Sequence, residues 1–323
     1  MLSPCAVEEA ANRIRGNLHH TPVFTCQSLN AMAGGLQLHF KAENLQKTGS
    51  FKARGAMNAV SQLVTKNPGV GVITHSSGNH GQALAYAAQR FHVPCTVVIP
   101  RNAPKVKLDA IHAYGANIVL CEPTMRSRLA QCEAEVKKDN NLVVVHPHDN
   151  EDVMAGQGTT AMELLDAVPD LDAIVVPVGG GGLISGVATW IKHRKPACKV
   201  FCVEPTGKML GESLKSGVEI QSEVDMIDTV ADGIRVRHLG KRCFQIISQL
   251  CEKEVITLND TEILHGMRCI WERMKLVIEP SSGVGFAAVI SDEFQRIAVQ
   301  YGLRHIGIIL CGGNLDVTKS YFA

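Results

Sequence analysis

Short, fully apolar runs recur along this chain and alternate with helix-forming stretches, and no other feature limits the fold as tightly. The runs at 71–74, 95–99, 117–120, 142–145, 173–178, 200–203 and 305–310 are rich in valine and isoleucine and mostly lack a polar–apolar alternation. Strands of that composition are covered on both faces, as parallel strands are. Between them, 82–91, 104–114, 124–139, 159–167 and 183–193 carry helical patterns. The repetition predicts an α/β fold of open, wound, mostly parallel sheets. A chain of 323 residues is long enough for two lobes, and no Pro- or Ser-rich linker divides it, so any crossing between lobes runs through ordinary loops.

Charge excludes several classes of function. The net charge of +1, with Lys and Arg balanced against Asp and Glu, leaves no electrostatic footprint for nucleic acid or an anionic membrane. No apolar run approaches the roughly 20 residues of a membrane span. The N-terminal segment carries Ser3 and Pro4 as an N-cap and first helical position, and lacks the apolar core of a signal peptide. The eleven cysteines form no C-x-x-C and have no repeated spacing, which fits reduced thiols in a cytosolic protein rather than a disulfide framework or a zinc site.

Chemistry first shows where the apolar run 173–178 meets Gly179, Gly180, Gly181 and Gly182 and then a helix. Backbone N–H groups without side chains can crowd round an anion there, and the helix N-terminus adds favourable partial charge. A dinucleotide fold would need G-x-G-x-x-G, but Leu183, Ile184 or Ser185 falls where a glycine must stand in every register. The cradled phosphate therefore belongs to a smaller cofactor.

Three further segments are ambiguous one at a time. In QKTGSFKARGA, Lys52 opens a helix, where the dipole repels a cation and helps lower its pKa; Lys47, Lys52 and Arg54 could equally all be solvated. In THSSGNHGQ, Ser76, Ser77, Asn79 and His80 gather donors at a helix start, either as a carboxylate site or as plain capping. In HIGIILCGGN, Cys311 ends an apolar run and reads equally as a buried structural thiol.

Together with AGQGT, PVGGGG, ADG and RMKLVIEPSSGVG, these segments resemble the serine racemase and serine/threonine dehydratase group of fold-type II pyridoxal-phosphate enzymes, most closely the eukaryotic racemases. The resemblance runs from the N-terminal helix to Asp316. It implies a fold like that of the tryptophan synthase β chain, with a large cofactor-binding domain of 1–66 and 150–323, a small mobile domain of 67–149, and the cofactor in the cleft between them. It implies that Lys52 holds pyridoxal phosphate as a Schiff base and is one catalytic base. Ser77 is then the acid/base on the opposite face. Phe51 stacks beside the ring, Asn79 donates to its phenolic oxygen, and Gly179 to Gly182 take the phosphate. Gly233 and Glu279 are carried over as further cofactor contacts. Ser76, Ser77, Asn79 and His80 receive the substrate carboxylate. Cys311 stands where the group keeps a neutral partner for the pyridine nitrogen, so that loss of a β-hydroxyl competes well with proton return.

The resemblance implies L-serine racemisation to D-serine with elimination to pyruvate and ammonia, by a cytoplasmic homodimer. The alternatives are a catabolic threonine or serine dehydratase, or a hydroxyaspartate dehydratase. Several positions depart from the pattern. The group binds Mg2+ or Ca2+ through acidic side chains after 203–205; Glu204 is present, but KMLG at 208–211 supplies no second carboxylate, and Glu212 replaces it only if the loop shifts. Val236 replaces a substrate-holding serine, with Arg237 beside it, which could favour an acidic substrate. The loop 148–152 lacks the serines of the related aspartate racemases. Lys47, Gln82, Tyr114 and Asn314 match an ATP site in the animal enzymes, which makes ATP a candidate effector, and no regulatory domain follows GGNLD.

Overall fold

The computed structural model describes every residue except Met1, Ser77, Pro104, Gln221, Glu223 and Ala323, and for Val106 only the backbone. Its strands, in chain order, are β1 (Val23–Phe24), β2 (Gln37–Lys41), β3 (Gly71–Thr74), β4 (Cys95–Pro100), β5 (Asn117–Cys121), β6 (Leu142–Val144), β7 (Ala173–Pro177), β8 (Lys199–Pro205), β9 (Val255–Leu258) and β10 (His305–Ile309). They form two sheets. The larger is ordered β1-β2-β10-β7-β8-β9 and is parallel apart from the β1–β2 pair. The smaller, β5-β4-β3-β6, is parallel throughout.

The lack of alternation in the strands now has its cause. Along β7, Ile174 and Val176 enter a core shared with the helices Glu151–Ala167 and Gly182–Arg194. Ala173 and Val175 enter a second core on the opposite face, with Val284, Phe286 and Ile270. Fully burying each such Val or Ile contributes about 1.5–3 kcal/mol, so both faces must be apolar. The small sheet repeats the arrangement, with Val72, Val97 and Ile99 on one face and Ile73 and Val98 on the other.

The helix expected over 159–167 starts at Glu151, capped by Asn150, whose side chain accepts from Val153 N. The glycines of AGQGT therefore lie inside a helix, where glycine costs about 1 kcal/mol relative to alanine. Packing explains them. A Cβ on Gly156 would fall 2.5 Å from Arg54 O, and one on Gly158 would fall 2.9 Å from Gly186 O. This helix thus lies against both the helix that Lys52 opens and the helix that follows the glycine run.

Chain order reverses between β7 and β10: β8 and β9 continue to one side of β7, while β10 returns on the other. In open α/β sheets ligands bind beyond the carboxyl ends of the strands at such a switch point. Gly179 to Gly182 follow the carboxyl end of β7, and Cys311 follows that of β10. From the small sheet, Ser76 and Asn79 follow β3 and His146 to His148 follow β6.

Candidate active site

These four strand ends line one cleft with a cavity of about 170 Å³, which collects Phe51, Lys52, Ser76, Asn79, His80, Gly179 to Gly182, Gly233, Glu279 and Cys311. Ser77, expected as the second base and as a substrate contact, lies outside the described residues.

Lys52 is the first residue of the helix Lys52–Lys66, and its Nζ donates to Pro147 O at 2.7 Å. Its pKa falls from 10.5 to about 8. Burial is the largest cause, opposed by Cys243, Cys311 and Glu279. The Phe51 ring centroid lies 5.2 Å from Nζ.

His80, His146 and His148 lie close enough to this amine to feel its charge, with His75 beside His146, and burial holds all four imidazoles below their ordinary pKa. His146 falls to about 4, His80 and His148 go well below 6.5, and His75 is lowered. The rings of His75 and His146 lie 5.5 Å apart, and those of His146 and His148 4.5 Å apart. His146 Nδ1 accepts from Asp149 N at 2.9 Å, while His80 Nε2 lies 3.1 Å from Val145 O, which can only accept. His80 Nδ1 and His75 Nε2 are buried without partners. These imidazoles give Lys52 a neutral, poorly solvating wall.

Asn79 and Glu279 join the two sides of the cleft. Asn79 Nδ2 donates to both Glu279 oxygens at 2.9 and 3.1 Å, and its Oδ1 accepts from Asn314 Nδ2 at 2.9 Å. Asn314 N also donates to Glu279 at 3.1 Å. Asn314, matched to an ATP site by resemblance, thus turns inward onto the cleft. Burial pushes the Glu279 carboxyl up to about 7, with Asp232 adding to the rise. The carboxylate fits because two neighbours lack side chains: a Cβ on Gly233 or Gly312 would come within 3.1 or 2.9 Å of it.

Gly181 has φ +92 and caps the helix Gly182–Arg194. A Cβ on Gly180 would fall 2.2 Å from the His148 ring, and one on Gly182 would fall 2.9 Å from His148 Cα. Only glycine permits this approach, which leaves the first N–H groups of the helix facing the cleft without intrahelical acceptors. Cys311 Sγ lies 3.3 Å from Ser282 Oγ, and burial holds its thiol far above the usual range, hence neutral. A half-buried amine of depressed pKa, a glycine-lined helix end and a neutral thiol fit pyridoxal phosphate at its aldehyde, phosphate and ring nitrogen respectively.

The metal expectation does not fit. Glu204 lies one residue before the end of β8, its carboxylate accepting from Leu210 N at 2.8 Å, Gly211 N at 3.3 Å and Thr257 Oγ1 at 3.2 Å. The Glu204 carboxylate is thus already satisfied by protein donors, and Glu212 is exposed, so no second acidic ligand joins it. Among the described residues no group of three His, Cys, Asp or Glu could hold a metal ion.

Two features escape the sequence. Arg54, left open there as a solvated residue, is fully buried and paired with both Glu43 and Glu163. Arg128 and Arg235 line the cleft. Arg128 Nε is buried without a partner, and its pKa is lowered by burial and by Arg235. No signal short of the fold would find either, because each depends on groups distant in sequence.

Comparison with known proteins agrees with this geometry. The family model described as "Pyridoxal-phosphate dependent enzyme" matches residues 14–312. A serine racemase of Dictyostelium discoideum is 45% identical over 97% of this chain and 95% of its own. An L-threo-3-hydroxyaspartate ammonia-lyase of Saccharomyces cerevisiae is 40% identical over 97% of this chain and 93% of its own. The crystal structure of a pyridoxal 5'-phosphate-dependent aspartate racemase superposes with a TM-score of 0.95 at 46% identity, covering 98% of this chain and 97% of that one. A lysine, a glycine-lined helix end and a neutral thiol at one switch point, with a family match over nearly the whole length, make this chain a member of the pyridoxal-phosphate dependent enzyme family.

Proposed function

We propose that this enzyme removes the Cα proton of L-serine and either returns a proton on the opposite face, giving D-serine, or lets the β-hydroxyl leave, giving pyruvate and ammonia. The observation that carries the reading is Lys52, a half-buried amine in the cleft whose pKa of about 8 lets it accept a proton near neutral pH. Pyridoxal phosphate, when bound, supplies the electron sink that acidifies the Cα–H. Lys52 holds that group covalently and takes the proton once substrate displaces it. Ser76, Asn79 and His80 orient the substrate carboxylate, and Ser77 serves the opposite face. A neutral Cys311 keeps the sink shallow, which favours β-hydroxyl loss. The segment 67–149 acts as a small mobile domain that closes over substrate, and the working form is a cytoplasmic homodimer.

A second reading rests on Arg128 and Arg235. Neither has a carboxylate partner among the ion pairs of the described residues, and Val236 offers no hydroxyl beside them. Two guanidinium groups at the cleft suit an amino acid with a second carboxylate, such as 3-hydroxyaspartate, which the yeast relative's name carries.

A chiral assay on L-serine tests the first reading. D-serine should accumulate beside pyruvate, and Ser77→Ala should suppress racemisation far more than elimination. Equal losses refute the two-base assignment, and a kcat/KM for threo-3-hydroxyaspartate well above that for L-serine favours the second reading.

A further inference from the structure

Beyond the cleft, the least expected charge in the molecule is Lys208. It follows Gly207, at φ +94, and precedes Met209, a non-glycine residue at φ 65. The whole side chain is 3% exposed. Its ammonium donates to the backbone carbonyl oxygens of Val236 and, at 3.2 Å, Arg237. The nearby Glu204 carboxylate, 1% exposed, favours its charge, as does Glu219, while Arg237 opposes it. Two carbonyl oxygens accept from the ammonium and the Glu204 carboxylate lies beyond ion-pair distance, so oxygens of three segments surround the position. A positive charge already stands among them.

A buried lysine costs desolvation, and burial lowers this one to about 8. A left-handed φ at Met209 adds backbone strain beside it. Both costs persist because the amine joins two loops. One is 206–209, after β8. The other is 235–237, where Arg235 and Val236 line the cleft.

We propose that Lys208 is a built-in cation, whose ammonium stands in for a divalent ion near Glu204, holds the carbonyl oxygens of Val236 and Arg237 and so positions Val236 at the cleft wall. It touches neither substrate nor cofactor, so it is a positioning residue. The enzyme is accordingly indifferent to divalent cations. Removing the amine while leaving its space creates a site that a free cation can enter.

The test uses the holoenzyme and reads the thermal midpoint, so its outcome is separate from which amino acid is turned over. Dialysis of the unaltered enzyme against EDTA, then addition of calcium or magnesium chloride, should leave the midpoint unchanged. A midpoint that falls in EDTA and returns with either ion overturns the proposal. Lys208→Ala should lower the midpoint by roughly 3–8 °C and raise KM for substrate more than it lowers kcat. Calcium chloride or methylammonium chloride should recover at least half of the midpoint loss. Lys208→Met, which fills the space without charge, should show the loss without the recovery. A full midpoint and KM in both variants, or a loss in Lys208→Ala that neither cation relieves, overturns the proposal. If Lys208→Ala does not fold, the EDTA arm decides alone.

Discussion

Replacing Arg54 by methionine tests what fixes the start of the Lys52 helix. The guanidinium is fully buried and donates to Glu43 at 2.7 and 2.8 Å and to Glu163 at 2.7 and 2.8 Å. Lys41 completes the cluster, donating to Glu163 at 2.6 Å. Two cations balance two carboxylates, and the Glu43 side chain is 0% exposed. Arg54→Met leaves one uncompensated negative charge out of water, and breaking a buried pair in this way costs about 3–5 kcal/mol. For a urea m-value of about 2.5 kcal/mol/M, the midpoint should fall by about 1–2 M. The double variant Arg54→Met/Glu43→Leu leaves the neutral Lys41–Glu163 pair, and should recover at least half of the loss. Urea denaturation of the holoenzyme, followed by fluorescence, measures both. A single-variant loss below about 1 kcal/mol, or a double variant as unstable as the sum of the two single variants, would refute the charge-balance argument.

Two shorter predictions follow from the cleft. Because Lys52 titrates near 8, covalent uptake of pyridoxal phosphate by apoenzyme should speed up roughly tenfold from pH 7 to pH 9 and then level off; a rate still climbing steeply above pH 9 would indicate an ordinary lysine. The unfolded chain keeps this proton up to 10.5 and the folded chain loses it near 8, so apoprotein stability gains from Lys52 as pH rises across that window. Lys107, on the helix after β4, pairs with Asp232 across the cleft at 2.5 Å, both side chains being partly exposed. An exposed pair of this kind is worth about 0.2–1 kcal/mol, so Lys107→Ala should raise KM about 1.5- to 5-fold with an unchanged thermal midpoint; a fall in the midpoint would show that the pair supports the fold instead.

What the sequence revealed and what it hid divide along a physical line. The cofactor pocket is legible because each of its parts is local: a buried strand, a turn of small residues and a helix start, as at Gly179 to Gly182 or at Ser76 to His80. Resemblance then gave those parts their roles. Arg54 and Lys208 are illegible for the opposite reason. A lone cation in a sequence looks solvated, and only the fold brings Glu163 to Arg54 or the Val236 carbonyl to Lys208. The same limit applies to the pKa of Lys52, whose largest cause is burial by groups distant in the chain. The packing role of the AGQGT glycines is hidden too, because it depends on Arg54 and Gly186, far away in the chain.

Those glycines set a gauge length. One helix, Glu151–Ala167, is sandwiched between the element that carries Lys52, the proposed covalent anchor, and the element that opens with the proposed phosphate cradle, and on each side its glycines approach backbone directly. The separation of the two grips on one small molecule is thus machined to the thickness of a bare helix. A single methyl at Gly156 or Gly158 would act as a shim, so cofactor retention can be lost from a position that never meets the cofactor.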